Sequence, residues 1–132
     1  MLPITAFYAA LLAVLFLVLS VRVIGWRREE RTEPVRGEDA ELIRRVRAQA
    51  NFAEYAPLTL LLMALAEGLT TPSFLLHLAG LLLLAGRVLH AYGTSQSPPI
   101  MRYASYGTVM TLVALALLAI VCLSLSAFFL AV

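Results

Sequence analysis

From Ile4 to Ile24 the chain carries no acid and a single cation, Arg22. A run of that length and character constrains the fold more than any other feature. About 20 consecutive apolar residues cross the roughly 30 Å hydrocarbon core of a bilayer as one helix. Similar runs follow at about 48–66, 73–92 and 103–132, with short connections and no stretch left over for a soluble domain. Of the 132 residues, 61% are hydrophobic, more than a soluble domain of this size usually carries. In oil, every backbone polar group must be satisfied by the protein itself, which leaves helices or closed barrels. Barrel strands alternate apolar and polar residues, and these runs do not. The fold class is therefore an all-α membrane protein with one domain over residues 1–132. Its four transmembrane helices, at about 4–26, 39–67, 73–92 and 103–131, form an up-down-up-down bundle.

The first run is not expected to be a cleavable signal, since no basic residue precedes it and no small-x-small site follows. Cys122, the single cysteine, lies deep in the fourth run and reads as a small apolar filler. The net charge is +2, and all ten basic residues are arginines. Arg27, Arg28, Arg31, Arg36, Arg44 and Arg45 fall in the first connection, none falls in the second, and Arg102 falls in the third. By the positive-inside rule, the first and third connections are cytoplasmic and both termini face the other side. The basic cluster is interleaved with Glu29, Glu30, Glu33, Glu38, Asp39 and Glu41. That pattern is a topology signal, not a nucleic-acid surface.

Gly25 and the charged run after it are expected to end the first helix, with Pro34 and Gly37 in a loop. Acids at 38, 39 and 41 suit the start of the second helix, and Glu41 can pair with Arg45 one turn on. Pro57 lies inside the second helix, where it removes a backbone donor and is expected to bend the axis. The short connection around Gly68 to Pro72 makes helices two and three antiparallel neighbours, and Pro98 and Pro99 keep the third connection non-helical.

Polar groups inside a membrane are costly and raise a functional question by default. They gather here in one leaflet: Ser20, Arg22, Arg27 and Arg28 at the end of helix one, and Arg47, Asn51 and Glu54 near the start of helix two. Helix three adds Arg87, His90 and Tyr92, and helix four adds Arg102, Tyr103 and Tyr106. Arg47, Asn51 and Glu54 are spaced i, i+4, i+7 and share one helical face. Glu54 lies about 10 Å deeper than Arg47, and a carboxylate at that depth needs a cation or several donors. A structural Arg47–Glu54 pair with Asn51 between would meet that need, and Arg22 and Arg87 can snorkel to the headgroups. The excess of guanidiniums over that one acid points instead to an anionic ligand with more than one carboxylate or phosphate. His77 stands alone on an apolar face as a packed or interfacial residue, and Glu67 is expected to be solvated. Two histidines thirteen residues apart and a cysteine on another helix give no metal-ligand spacing.

The stretch R-A-Q-x-N-x-x-E-Y-x-P, from Arg47 to Pro57, resembles the signature of the MAPEG family, the membrane-associated proteins of eicosanoid and glutathione metabolism. The wording is closest to bacterial members, with Gln49 where many have histidine. The resemblance extends over nearly the whole chain and implies a homotrimer that binds glutathione between adjacent subunits in the cytoplasmic leaflet. It implies that Arg47 and Asn51 hold the glutathione backbone and carboxylates, that Glu54 accepts the γ-glutamyl ammonium, and that Tyr55 lines the pocket. S-V-R-V-I-G-W-R-R, from Ser20 to Arg28, is similar to a synthase pattern that adds Arg27, Arg28 and Ser20. Tyr92 matches a family tyrosine. His90 lies near a family histidine position, although two residues from Tyr92 rather than four. R-x-x-x-Y at Arg102 and Tyr106 resembles the pattern that carries the thiolate-activating arginine.

The chemistry fits that resemblance. A thiol with an ordinary pKa near 8.5 is mostly protonated at neutral pH, and a neighbouring cation raises its thiolate fraction. Arg102 would act as a fixed charge, not as a base. The expected function is a glutathione transferase of a bacterial inner membrane, acting on a hydrophobic electrophile, with lipid hydroperoxide reduction as an additional expected activity. Its expected partners are lipids and further copies of itself, with glutathione as co-substrate. The competing readings are a non-catalytic lipid or thiol binder of the same family and a small multidrug exporter. Such exporters carry their membrane carboxylate in the first helix, and here that helix has no acid from Ile4 to Ile24.

Overall fold

A computed structural model of the protein describes residues 1–30 and 40–131. Four helices make up nearly all of it: α1 Pro3–Glu30, α2 Ala40–Gly68, α3 Ser73–Ser95 and α4 Met101–Ala131. The all-α bundle therefore stands as the sequence implies. α1 does not stop at Gly25 but runs on to Glu30. One glycine costs a helix about 1 kcal/mol, and nothing packs close to Gly25, so the helix carries it. The expected loop at Pro34 and Gly37 and the proposed helix start near Asp39 lie outside the described residues. α2 continues as helix through Pro57.

Three of the four helices, α1, α3 and α4, are long and apolar enough to cross a membrane. α2 falls short of that measure. Its first half carries Arg44, Arg45, Arg47 and Glu54, and neighbouring helices half-bury Arg44 and Arg45 while Arg47 and Glu54 stay exposed. α2 packs against all three other helices. α3 also packs against all three, whereas α1 and α4 do not touch among the described residues. The two central helices thus lie between two outer ones that show broad apolar faces, including Val14, Leu17, Ile120 and Leu123.

Side-chain pairs fix the directions. Gln49 of α2 meets Ser20 of α1, Asn51 of α2 meets Arg87 of α3, and Arg87 meets Thr111 of α4. Consecutive helices are therefore antiparallel. One end of the bundle gathers the end of α1, the start of α2, the end of α3 and the start of α4, and it carries the arginines. Near it, Phe16 and Phe52 stack with centroids 5.4 Å apart. At the other end Tyr8, Met63, Leu76 and Leu118 form a second apolar layer. Cys122 is buried beside that layer, its Sγ 3.3 Å from the Leu62 carbonyl.

The far end is less bland than its sequence suggests. Glu67 is not simply solvated: its carboxylate accepts the backbone N–H groups of Ile4 at 2.9 Å and Thr5 at 2.8 Å. Those are donors that the first turn of α1 cannot satisfy itself. An anion there also opposes the positive end of the helix. Nor does His77 stand alone, since the Tyr8 hydroxyl lies 3.2 Å from both its Nδ1 and its carbonyl. Replacing Glu67 with alanine is expected to cost about 1 kcal/mol of stability, the usual loss for a helix cap. Unfolding of the detergent-solubilised protein at neutral pH measures it, and an unchanged midpoint would contradict the cap.

α3 and α4 approach closely because small residues meet there. A Cβ on Gly86 would lie 2.8 Å from the Gly107 carbonyl, and one on Gly93 would lie 2.6 Å from the Ala104 nitrogen. Close backbone approach through small residues is a common way for helices to associate in lipid, where apolar burial gives little drive.

Candidate functional site

At the arginine-rich end a cleft of about 380 Å³ opens between α2, the end of α3 and the start of α4. That volume lies within the range of small-molecule sites, about 300–1,000 Å³. α2 supplies Arg44, Arg47, Ala50, Asn51 and Glu54; α3 supplies His90 and Thr94; Pro99 and Met101 close the rim. The helical period accounts for the α2 wall, since residues 44, 47, 51 and 54 recur every three or four positions on one face.

The expected Arg47–Glu54 pair is not formed. Among the described residues the ion pairs are Arg44–Glu41 at 2.5 Å and Arg45–Glu41 at 2.7 Å, the latter as the spacing implied. The hydrogen bond from Arg45, then that from Arg44, holds the Glu41 carboxyl below its ordinary value of 4.5. Arg47 and Glu54 are both exposed on the cleft wall. Arg44 keeps a buried Nε with no partner. Arg47 and Glu54 thus face one opening without pairing with each other, beside an Arg44 that Glu41 already holds.

Behind this wall lies a residue that its sequence position disguised. Arg87 does not snorkel: it is 1% exposed. Its Nη1 donates to Asn51 Oδ1 at 2.5 Å and faces the Asn51 carbonyl at 3.4 Å. Its Nε donates to Thr111 Oγ1 at 2.9 Å, and Nη2 faces the Gly107 carbonyl at 3.4 Å. The guanidinium carbon lies 5.7 Å from the centre of the Tyr55 ring. A signal was available. Arg87 precedes the end of α3 at Ser95 by eight residues, about 12 Å of helical rise, which is too far for a side chain to reach the headgroups easily.

The other residues singled out from sequence have separate places. Tyr55 is half-buried against Arg87, off the cleft lining. Ser20 accepts a hydrogen bond from the Gln49 amide at 2.9 Å. Arg22 does not reach for headgroups but donates to Ser95 Oγ at 2.8 Å, tying α1 to α3. Arg45 lies 4.6 Å from the Trp26 ring and donates to the Arg22 carbonyl. Arg27, Arg28, Arg102 and Tyr106 are exposed. Tyr92 is exposed beside Tyr103, with ring centroids 6.0 Å apart. Within one chain, then, Arg47, Asn51, Glu54 and His90 come together at the cleft, and the remaining candidates do not line it. The described residues contain no cluster of three or more metal-ligating side chains.

Known proteins share this arrangement of sequence. A profile of the MAPEG family matches residues 5–124. Among curated proteins, the inner membrane protein YecN of Escherichia coli K12 is 34% identical over 90 residues, covering 68% of this chain and 69% of YecN. YecN of the Escherichia coli strain CFT073 matches to the same extent. With four helices, three of them apolar enough to span a bilayer, and a family match over almost its whole length, this integral membrane protein belongs to the MAPEG family.

Proposed function

We propose that the chain is a membrane-bound glutathione transferase, in which glutathione or a related thiol occupies the α2–α3 cleft and attacks a hydrophobic electrophile. The observation that carries this reading is the wall of Arg47, Asn51 and Glu54, where Arg47 and Glu54 face the opening without pairing across it, next to an Arg44 held by Glu41. A peptide with carboxylates and one ammonium complements a wall that offers guanidinium donors and one carboxylate. The membrane setting supplies the second reactant, because a lipophilic electrophile concentrates in the bilayer beside the cleft. Holding both reactants in register then provides a large part of the rate gain. The new carbon–sulfur bond forms as the thiol proton passes to solvent and the leaving group departs with its bonding electrons.

Under this proposal the protein sits in a bacterial inner membrane with its basic end in the cytoplasm. Three copies assemble so that Arg27, Arg28, Tyr92, Arg102 and Tyr106 of one copy approach the cleft of another. A second reading, a non-catalytic binder of thiols or lipids, is favoured by the position of Arg102 off the cleft of its own chain.

Glutathione at millimolar concentration is expected to raise the melting temperature of the purified protein in detergent, since a ligand that binds only the folded form stabilises it. Glu54→Gln and Arg47→Ala are expected to lose most of that rise. An unchanged wild-type melting point would remove the proposal.

A further inference from the structure

Asn51 belongs to two environments at once. It lines the cleft, and it also takes a hydrogen bond from the buried Arg87. An asparagine amide carries an acceptor and a donor of nearly the same size, and which one faces a ligand decides what the residue recognises. Here the choice is forced. A guanidinium has donors and no acceptor, so the amide atom 2.5 Å from Arg87 Nη1 must be oxygen. The Nδ2 group is left on the side away from Arg87. The guanidinium itself is held in place. Thr111 gives its hydroxyl proton to the Gly107 carbonyl at 2.9 Å, which leaves its oxygen free to accept from Arg87 Nε. Tyr55 lies against the guanidinium. No acid among the described residues pairs with Arg87.

We propose that Arg87 is a positioning residue for the cleft: it locks Asn51 with its NH₂ group outward, so the α2 wall offers donor, donor, acceptor along Arg47, Asn51 and Glu54. The middle of that wall then selects an oxygen acceptor on the ligand, a carboxylate or a peptide carbonyl, and rejects an amine. This inference rests on the reading of the cleft as a thiol-peptide site.

Glutathione titrations of the full chain in detergent test it, using wild type, Arg87→Met, Asn51→Ala and the double variant. Methionine keeps a long buried stem, and an apolar residue of similar volume is often tolerated where a buried charge stood. Arg87→Met is expected to weaken glutathione binding about tenfold in the wild-type background, as for the loss of one well-placed hydrogen bond to a charged group. In the Asn51→Ala background it is expected to add less than about twofold, because residues that act through one another are not additive. Equal losses in both backgrounds, or no loss in the first, would overturn the proposal. Should Arg87→Met fail to give a monodisperse protein, Thr111→Val loosens the same guanidinium from behind and must show the same dependence on Asn51. Side-chain amide NMR separates this claim from the choice of ligand. Without any ligand, wild type should give one sharp Asn51 NH₂ pair, identified by its loss in Asn51→Ala. Arg87→Met, or Thr111→Val in its stead, should broaden or double that pair as the amide flips. A single sharp pair in the variant defeats the positioning role even if glutathione proves to be the wrong thiol.

Discussion

Replacing Gly107 with alanine is expected to destabilise the protein by about 2 kcal/mol, although alanine is the better helix former by about 1 kcal/mol. The reason is local and steric. A Cβ on Gly107 would collide with the Gly86 carbonyl and the backbone of His90. Those are main-chain atoms and cannot rotate away as a side chain could. Making room means moving α3 from α4, which opens a packed seam along Gly86, Gly93 and Ala104. It also disturbs the Gly107 carbonyl, which accepts from Thr111 and faces Arg87. Thermal unfolding in detergent should therefore show a midpoint lower by roughly 5–10 °C. Alanine at Gly25, where nothing lies within 4 Å, should leave the midpoint unchanged or raise it. A Gly107→Ala protein as stable as wild type would mean that the two helices are not held at this distance.

Arg102→Ala is expected to lower the rate of glutathione conjugation by about 100-fold or more, the usual loss when one preorganised charge stabiliser is removed. Glutathione should still protect this variant against heat, because Arg47, Asn51 and Glu54 remain. Arg102→Lys should keep part of the rate, as it retains the charge without the planar fork. The measurement is initial rate with an aryl halide at saturating thiol, alongside the melting shift with glutathione alone. Equal rates for wild type and Arg102→Ala would deny Arg102 its role. Protection without turnover in the wild type would favour the binder. Since Arg102 lies off the cleft of its own chain, the prediction also requires a second copy to deliver it.

The bundle was legible because oil imposes simple demands. Runs near Ile4–Ile24 and 103–132 could hardly be anything but helices, and the Gly68 to Pro72 connection could only fold back. The α2 wall was legible for a similar reason: spacing alone places Arg47, Asn51 and Glu54 on one face. What one helix cannot reveal is what stands across from it. The depth of Arg87 says that it needs partners, but not that they are Asn51, Thr111 and Gly107 on two other helices. Glu67 likewise has its partners 62 and 63 residues away. Gly25 misled in the opposite direction: a residue that often marks a break is simply carried along when the helix around it is long.

The outward side of α2 has a further consequence for how the molecule can live in a bilayer. Glu54, Pro57, Leu58 and Leu61 are all exposed, and their spacing puts them on a single strip. A solitary copy would turn that strip toward acyl chains, where an anion is costly unless polar partners reach it. In the three-copy assembly proposed above, a neighbouring copy along this strip would lift that cost and cover the leucines beside it.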